Sequence, residues 1–485
     1  MRNMPTKARP EANSRAIVTA SELVDRPIVV NAGQRLLTRR AVLGTLATGG
    51  LLASAPGSAR AQLALLDLNR ELRAPSSAGL PRPRRSRPAF VKDLAHLIDI
   101  DATNQGGEWW NFDSFITPID RFFIRNGYPT PRAENDQRLQ RESWQLKIHG
   151  DAVERELTIT YNDLLKMPSR SVFSILECAG NGRSLFWEQQ NMLADPQKVT
   201  GSGWGLGGIG MAEWRYVPIS HILGLVGLKA NARSALFWSG IDGSKDGRDG
   251  DIGRPMPISM LRTFGSEMGL AFKMNGVDLP PDHGAPVRML VPGWCGAAST
   301  KWLTEIKIAS HDFWVRLNTR QHVMIGPDYE RPKPRPGDEF RGVTAPDILG
   351  PMVTWLPPRS LLTLPLVLEK QPKIPSNYPL QPGELPQLQA GTQALNGLAW
   401  APEHGVERVD VRINGRNWQP ARLTKPFSTR FSWVRFEIPW KATTGRHLIE
   451  TRVTDAAGNQ QPTDVPFNAG GFNFWAIPKF HVDVV

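Results

Sequence analysis

The apolar positions of the chain change their spacing several times, and each change predicts an element. Val172, Phe173, Ile175 and Leu176 predict a short buried strand, after which Gly180 and Gly182 let the backbone turn with positive φ. Cys178 therefore falls where a strand meets a loop. Residues 144–150 alternate like an edge strand, and Thr160 caps a short helix within residues 157–167. Residues 220–228 carry an amphipathic helical pattern, residues 235–238 read as a buried strand, and residues 270–294 continue the mixture of α and β. The Gly-rich run 201–210 is not framed by a clear strand and helix, so close backbone packing against a bulky group or strand explains it better than a dinucleotide site.

Prolines recur between residues 351 and 386 too often for a helix or central strand, which predicts an extended connection over a surface. Beyond it, Val409, Val411 and Ile413 alternate up to the hairpin signal Asn414-Gly415, with Trp418 on the returning strand. Phe431, Trp433, Phe436 and Ile438 suggest another strand pair, and residues 448–453 run into a turn at 455–459. Short strands with regular turns imply a β-sandwich, so the fold class is α+β. The expected organisation is a leader (1–61), an extended segment (62–105), a mixed α/β domain (106–345), a Pro-rich linker (346–388) and the sandwich (389–485).

Composition narrows the chemistry. Two cysteines in 485 residues, Cys178 and Cys295, exclude a disulfide framework and any multi-cysteine iron–sulfur or zinc site. No Cys-x-x-Cys-His stretch is present, so no covalently attached haem is expected. Thr38-Arg39-Arg40 before an apolar run and Ala59-Arg60-Ala61 predicts a twin-arginine signal peptide, hence export of a folded protein to the periplasm. That apolar run is too short and Gly-rich to span a membrane, and no span is expected after its removal. The leader holds nine Lys/Arg against three Asp/Glu, which is half of the formal +12. The basic run at 82–87 is broken by prolines and lacks interleaved aromatics, so nucleic acid is not an expected partner.

Read as residues alone, Cys178 is either a small buried cysteine in a tight turn, the reading composition favours, or a thiolate ligand for a thiophilic metal beside the oxyanion-binding fork of Arg183. The sequence Cys178-Ala179-Gly180-Asn181-Gly182-Arg183 is similar to the Cys-Ala-Gly-Asn-Arg-Arg motif of the sulfite oxidase family. The likeness extends from about residue 110 to the end, through Phe123-Ile124-Arg125-Asn126, Asp282 to Arg288, Val291-Pro292-Gly293 and Lys301-Trp302-Leu303. It implies a molybdenum–molybdopterin cofactor, one metal per chain with Cys178 as its protein ligand. Pterin and phosphate contacts are implied for Phe123, Ile124, Arg125, Asn126, Gly127, Asp242, His283, Arg288, Ser299, Thr300 and Lys301. Alone, Asp242 would cap a turn, while His283, Arg288 and Lys301 would be surface groups. The resemblance further implies that Arg125 and Arg183 line an anion pocket, although they could instead balance carboxylates such as Glu177. Cys295 is expected to pack near the cofactor segment.

The resemblance also implies an immunoglobulin-like form for the sandwich, a homodimer through it, oxidation of sulfite or a related sulfur oxyanion by oxygen-atom transfer, and a separate c-type cytochrome as acceptor. Three positions depart from the family pattern. Gly127 stands where a histidine is common, His322 in Arg320-Gln321-His322 occupies the setting of an active-site tyrosine and becomes the candidate catalytic group, and Gly470 replaces an arginine. Sulfane dehydrogenase-like chemistry, oxide reduction and a non-catalytic cofactor- or partner-binding protein on the same scaffold therefore stay open.

Overall fold

The computed structural model describes residues 92, 97–101, 103–109, 112–126, 130–131, 136–190, 199–239, 252–363 and 388–485. The twin-arginine leader, Gly127 and Asp242 lie outside them. All described residues belong to one of two compact units, Arg73–Val485. None of their helices is long and apolar enough to cross a membrane.

Two five-stranded sheets form the mixed α/β part. In one, Val277–Asp278, Gly269–Met274, Ile209–Pro218 and Arg170–Glu177 lie side by side, with Arg288–Leu290 also on Gly269–Met274. The other runs Leu157–Thr160, Gln145–His149, Glu305–Ala309, Ser234–Trp238, Gly253–Pro257. Gln145–His149 is thus an interior strand rather than the expected edge. Its alternation arises because one face is exposed and the other buried, which says nothing about position in the sheet.

Local signals account for the helices. Thr160 Oγ1 accepts from the Asp163 N–H while the Asp163 carboxylate accepts from the Thr160 N–H, which starts Tyr161–Lys166. Ile219, Ile222, Leu223 and Val226 bury one face of Ile219–Val226, and Gly227 at φ 69° ends it.

Residues 359–362 and 391–484 supply the strands of two four-stranded antiparallel sheets. One is ordered Arg359–Leu362, Gly391–Trp400, Val434–Ala442, Arg422–Thr424, the other Gln419–Pro420, Val406–Ile413, Gly445–Asp455, Lys479–Val484. Inward residues of both, among them Leu395, Leu398, Val411, Phe436 and Ile449, share one buried cluster with Leu176, Cys178 and Phe186. Asn414 and Gly415 both take positive φ at the expected hairpin.

Three expectations need correction. Arg359–Leu362, within the Pro-rich connection, is a fully buried edge strand rather than a surface crossing. Phe431 and Trp433 are not a separate strand, because they dock on the α/β part: the Phe431 carbonyl accepts from Ile175 N–H at 2.9 Å and Trp433 Nε1 donates to the Phe115 carbonyl at 2.9 Å. The end of the lead-in is core, since Leu97–Asp101 and Asn104–Gly107 form a small sheet with Ile124–Arg125.

Candidate functional site

The strand Arg170–Glu177 delivers Cys178 into a turn whose backbone is held at several points. Cys178 N–H donates to the Gly208 carbonyl at 2.8 Å, Asn181 N–H to the Cys178 carbonyl at 2.9 Å, and Gly180 N–H points at Cys178 Sγ at 3.4 Å. The Gly-rich run lies directly on this turn. A Cβ on Gly207 would sit 2.0 Å from the Gly107 carbonyl oxygen, so only glycine permits the approach. Glu177 turns away from the cysteine into the C-terminal sheets, where Arg359 pairs with it. Neither Arg125 nor Arg183 balances that carboxylate.

Arg183 instead faces Cys178. Burial pushes its guanidinium down to about 10, with Cys178 opposing the shift and Arg125 adding to it. Its Nε donates to the Gly470 carbonyl at 2.9 Å and Nη1 to the Ser202 carbonyl at 2.7 Å, while Phe472 lies 5.1 Å from the fork. Gly470 therefore contributes a carbonyl where the family pattern has an arginine. Arg125 donates to Asn104 Oδ1 at 3.4 Å, and its charge acts on Arg183, Lys301 and His322 alike, which places it between the two charged groups of the site.

His322 is 8 % exposed, stacks on Phe472 at 5.3 Å, and has a buried Nδ1 without a hydrogen-bond partner. Burial, then the charges of Arg125, Arg254, Arg183 and Arg316, hold its imidazole well below the ordinary range, so it is neutral near pH 7. A neutral imidazole offers one donor and one acceptor to whatever enters this cationic pocket. Cys295 is a buried thiol that burial pushes up, with Sγ 3.5 Å from the Val353 carbonyl. It packs beside Arg254 and is poorly suited to ligate.

The second charged group surrounds Asp282 and His283. Lys301 Nζ donates to Asn126 Oδ1 at 2.6 Å and to the Asp282 carbonyl at 2.5 Å, and Arg288 donates to the carbonyls of His283 at 3.0 Å and Ser299 at 2.7 Å. Burial pushes Arg288 down to about 9. Burial and neighbouring cations hold His283 and Lys301 well below their usual ranges, Asp282 partly offsetting this at Lys301. Thr300 Oγ1 and Arg288 Nε are buried and unpartnered, and Ser299 Oγ accepts from Val291 N–H at 2.9 Å. Phe123 stacks on Phe122, whose ring edge meets His283. Ile124 and Arg125 pair with Gln105 and Asn104, which fixes the start of the loop.

Three residues escaped the sequence reading. Lys92 Nζ lies 2.7 Å from His283 Nε2 and donates to the carbonyls of Ile119 and Phe122, and burial pushes it down to about 7. The Asp101 carboxylate accepts from Asn104 and from Ser202 Oγ, and so supports the partners of both Arg125 and Arg183. Arg254 donates from its two terminal nitrogens to the carbonyls of Leu317 and Val353. No motif marks them, because each is defined by partners distant in sequence.

The donors around Asp282 and His283 fit an anionic, acceptor-rich group. Lys92, Arg288 and Lys301 crowd together with Asp282 as the facing carboxylate, and two orphaned buried donors have no protein partner. Among the described residues no three His, Cys, Asp or Glu side chains converge on a bare ion, so a metal at Cys178 needs other ligands that arrive with it. A molybdopterin would satisfy both requirements, with its phosphate and ring edge at the lysine–arginine–histidine group.

Comparison with known proteins points to the same class of cofactor. Residues 132–314 match the family model described as the oxidoreductase molybdopterin binding domain. The mitochondrial sulfite oxidase of Rattus norvegicus is 28% identical over 77% of this chain and 62% of its own length. The sulfite oxidase of Arabidopsis thaliana is 27% identical over 73% of this chain and 84% of its own length. An NADH nitrate reductase of Phaseolus vulgaris is 33% identical over 76% of this chain and 39% of its own length. The chain thus spans under two thirds of the rat relative. Among solved structures, the sulfane dehydrogenase SoxCD from Paracoccus pantotrophus superposes with TM-score 0.61 at 21% identity, covering 90% of this chain and 92% of that one.

Proposed function

We propose that this chain, a member of the sulfite oxidase family of molybdopterin-dependent oxidoreductases, oxidises sulfite or a related small sulfur oxyanion by oxygen-atom transfer. The observation that carries the reading is that Arg183, from the Cys178 turn, and His322 pack on the same Phe472 ring at 5.1 and 5.3 Å, with the charge of Arg125 acting on both. A molybdenum–pterin bound here would supply the two-electron redox couple and the site of oxygen transfer.

The protein's own part follows from its side chains. Cys178 would hold the metal from the turn that Gly208 and Asn181 brace, one metal per chain. His283, Arg288, Ser299, Thr300 and Lys301 would hold the pterin and its phosphate. Arg125 and Arg183 bind and orient the anion, Gly470 and Ser202 fixing the direction of the Arg183 fork. His322, with its Nδ1 unmatched by protein, donates or accepts one hydrogen bond to the substrate and takes the place of the family phenol. Phe472 covers the Arg183 guanidinium and helps to exclude water from it.

The domain scheme is proposed in the same sense: an exported periplasmic protein with residues 106–345 as the cofactor domain and 389–485 as an immunoglobulin-like sandwich that dimerises. A separate c-type cytochrome would accept the electrons. Oxide reduction is the second reading, favoured by the bean nitrate reductase at 33% identity. The likeness to a sulfane dehydrogenase is one of fold. Anaerobic addition of sulfite to metal-replete protein separates these. Bleaching of the thiolate-to-metal absorption in proportion to metal supports sulfite oxidation. No bleaching by sulfite, with nitrate oxidising the dithionite-reduced protein, supports oxide reduction. A folded protein that never acquires molybdenum would be a non-catalytic scaffold.

A further inference from the structure

Glu177, the residue before the cysteine, is fully buried, and its carboxylate is occupied on both oxygens. Oε1 accepts from Arg359 Nη1 and from Asn181 Nδ2 at 2.8 Å, and Oε2 accepts from Trp400 Nε1 at 2.8 Å. Arg359 and Trp400 stand opposite each other in the ladder between Arg359–Leu362 and Gly391–Trp400, so one cross-strand pair supplies two of the three donors. The other end of the Asn181 amide accepts from Gly208 N–H at 2.9 Å, and Gly208 in turn accepts from Cys178 N–H. A Cβ on Gly182 would meet Arg359 Nη2 at 2.6 Å, so the guanidinium lies directly against the turn. The charges of Glu177 and Cys178 both act on Arg359.

These contacts form a continuous path from the C-terminal sheets to the backbone of Cys178. We propose that Arg359 and Trp400 are positioning residues that act through Glu177 and Asn181 to set the orientation and electron density of the Cys178 sulfur at the metal. The role extends the proposed cofactor reading, on which it rests. Glu177 ends its strand and is joined directly to Cys178, so a force on Glu177 acts on the peptide that carries Cys178. A ligand's outer partners tune its donor strength and its hold on a metal, and here they come from the C-terminal sheets, 182 and 223 residues from Glu177 along the chain.

The test uses holoprotein and compares Trp400→Phe with Trp433→Phe. Both tryptophans are fully buried in the same cluster and each donates one indole N–H, Trp400 to Glu177 and Trp433 to a backbone carbonyl remote from the cysteine turn. Each variant is loaded, its molybdenum quantified, and its thiolate-to-metal absorption band and rate of metal loss on dialysis recorded. The expected result for Trp400→Phe is a displaced band and about a 10-fold or greater weakening of metal retention, while Trp433→Phe keeps the wild-type band. Glu177→Gln, which keeps the side chain's shape, is expected to displace the band in the same direction. Wild-type band and retention in folded, loaded Trp400→Phe and Glu177→Gln would reduce the network to a structural brace and overturn the proposal. Wild-type protein that folds without acquiring molybdenum would instead overturn the cofactor reading and this role with it.

Discussion

Breaking the Glu177–Arg359 pair gives the sharpest stability prediction, because both partners are out of water. The Arg359 side chain is 4% exposed and that of Glu177 0%. Arg359→Met keeps the apolar stem and removes the charge, leaving a buried carboxylate with Asn181 and Trp400 as its donors. Losing one partner of a buried pair costs about 3–5 kcal/mol, whereas Arg446→Met at the exposed Arg446–Asp483 pair is expected to cost about 0.2–1 kcal/mol. Burial already raises the Glu177 carboxyl, and without Arg359 it rises further. A folded-state value above the unfolded one means the folded form holds an extra proton, so this contribution to stability is complete below the unfolded value and falls as pH rises towards the folded one. Urea unfolding of cofactor-free Arg359→Met should therefore show a larger loss at pH 8 than at pH 5. Adding Glu177→Gln should restore a large share of it at pH 8. A loss below about 1 kcal/mol, a loss equal at both pH values, or no relief from the second change would refute the reasoning.

Three further outcomes can be checked. Arg125→Gln should raise the KM for sulfite about 10- to 100-fold with a smaller effect on kcat, the range expected for one charge-assisted hydrogen bond; an unchanged KM would remove this residue from the anion pocket. Below pH 6.5 the unfolded cofactor-free chain takes up protons at His283 and His322 that the folded form refuses, so stability should fall with pH at about 1.4 kcal/mol per pH unit for each group. His322→Gln should flatten that slope, measured as Tm between pH 5.5 and 7.0, and an unaltered slope would contradict the burial argument. Gly207→Ala should cost about 1–3 kcal/mol or more by driving a Cβ onto the Gly107 carbonyl, whereas Gly224→Ala, with open space at its Cβ in a helix, should stabilise by about 0.5–1 kcal/mol; equal Tm shifts would show that the contact does not govern.

What could be read in advance was local. The Cys178 turn, the Thr160 cap and the Asn414-Gly415 hairpin each depend on residues within a few positions, so their signals sit together in the text. The Gly-rich run was legible as a packing surface because only close approach makes so many glycines useful. Its partner, the turn of residues 178–184, is set by tertiary contacts that no pattern shows. The same limit hid Arg359 and Trp400, which reach Glu177 across 182 and 223 residues, and Lys92, which reaches His283 across 191. Alternation at Gln145–His149 misled for a different reason: it records which side chains are exposed, and an interior strand with one solvated face alternates as cleanly as an edge. The aromatic spacing around Phe431 and Trp433 looked like a strand but serves docking, a distinction that depends on what lies opposite.

The role of Cys178 as the protein ligand to molybdenum is the claim on which the rest depends. X-ray absorption at the molybdenum edge of the mature wild-type protein and of Cys178→Ser, both with metal quantified, tests it directly. The account predicts about one molybdenum per chain in the wild type and one fewer sulfur neighbour in the variant, with loss of the visible thiolate-to-metal band. An unchanged sulfur shell in a metal-replete Cys178→Ser protein would contradict it.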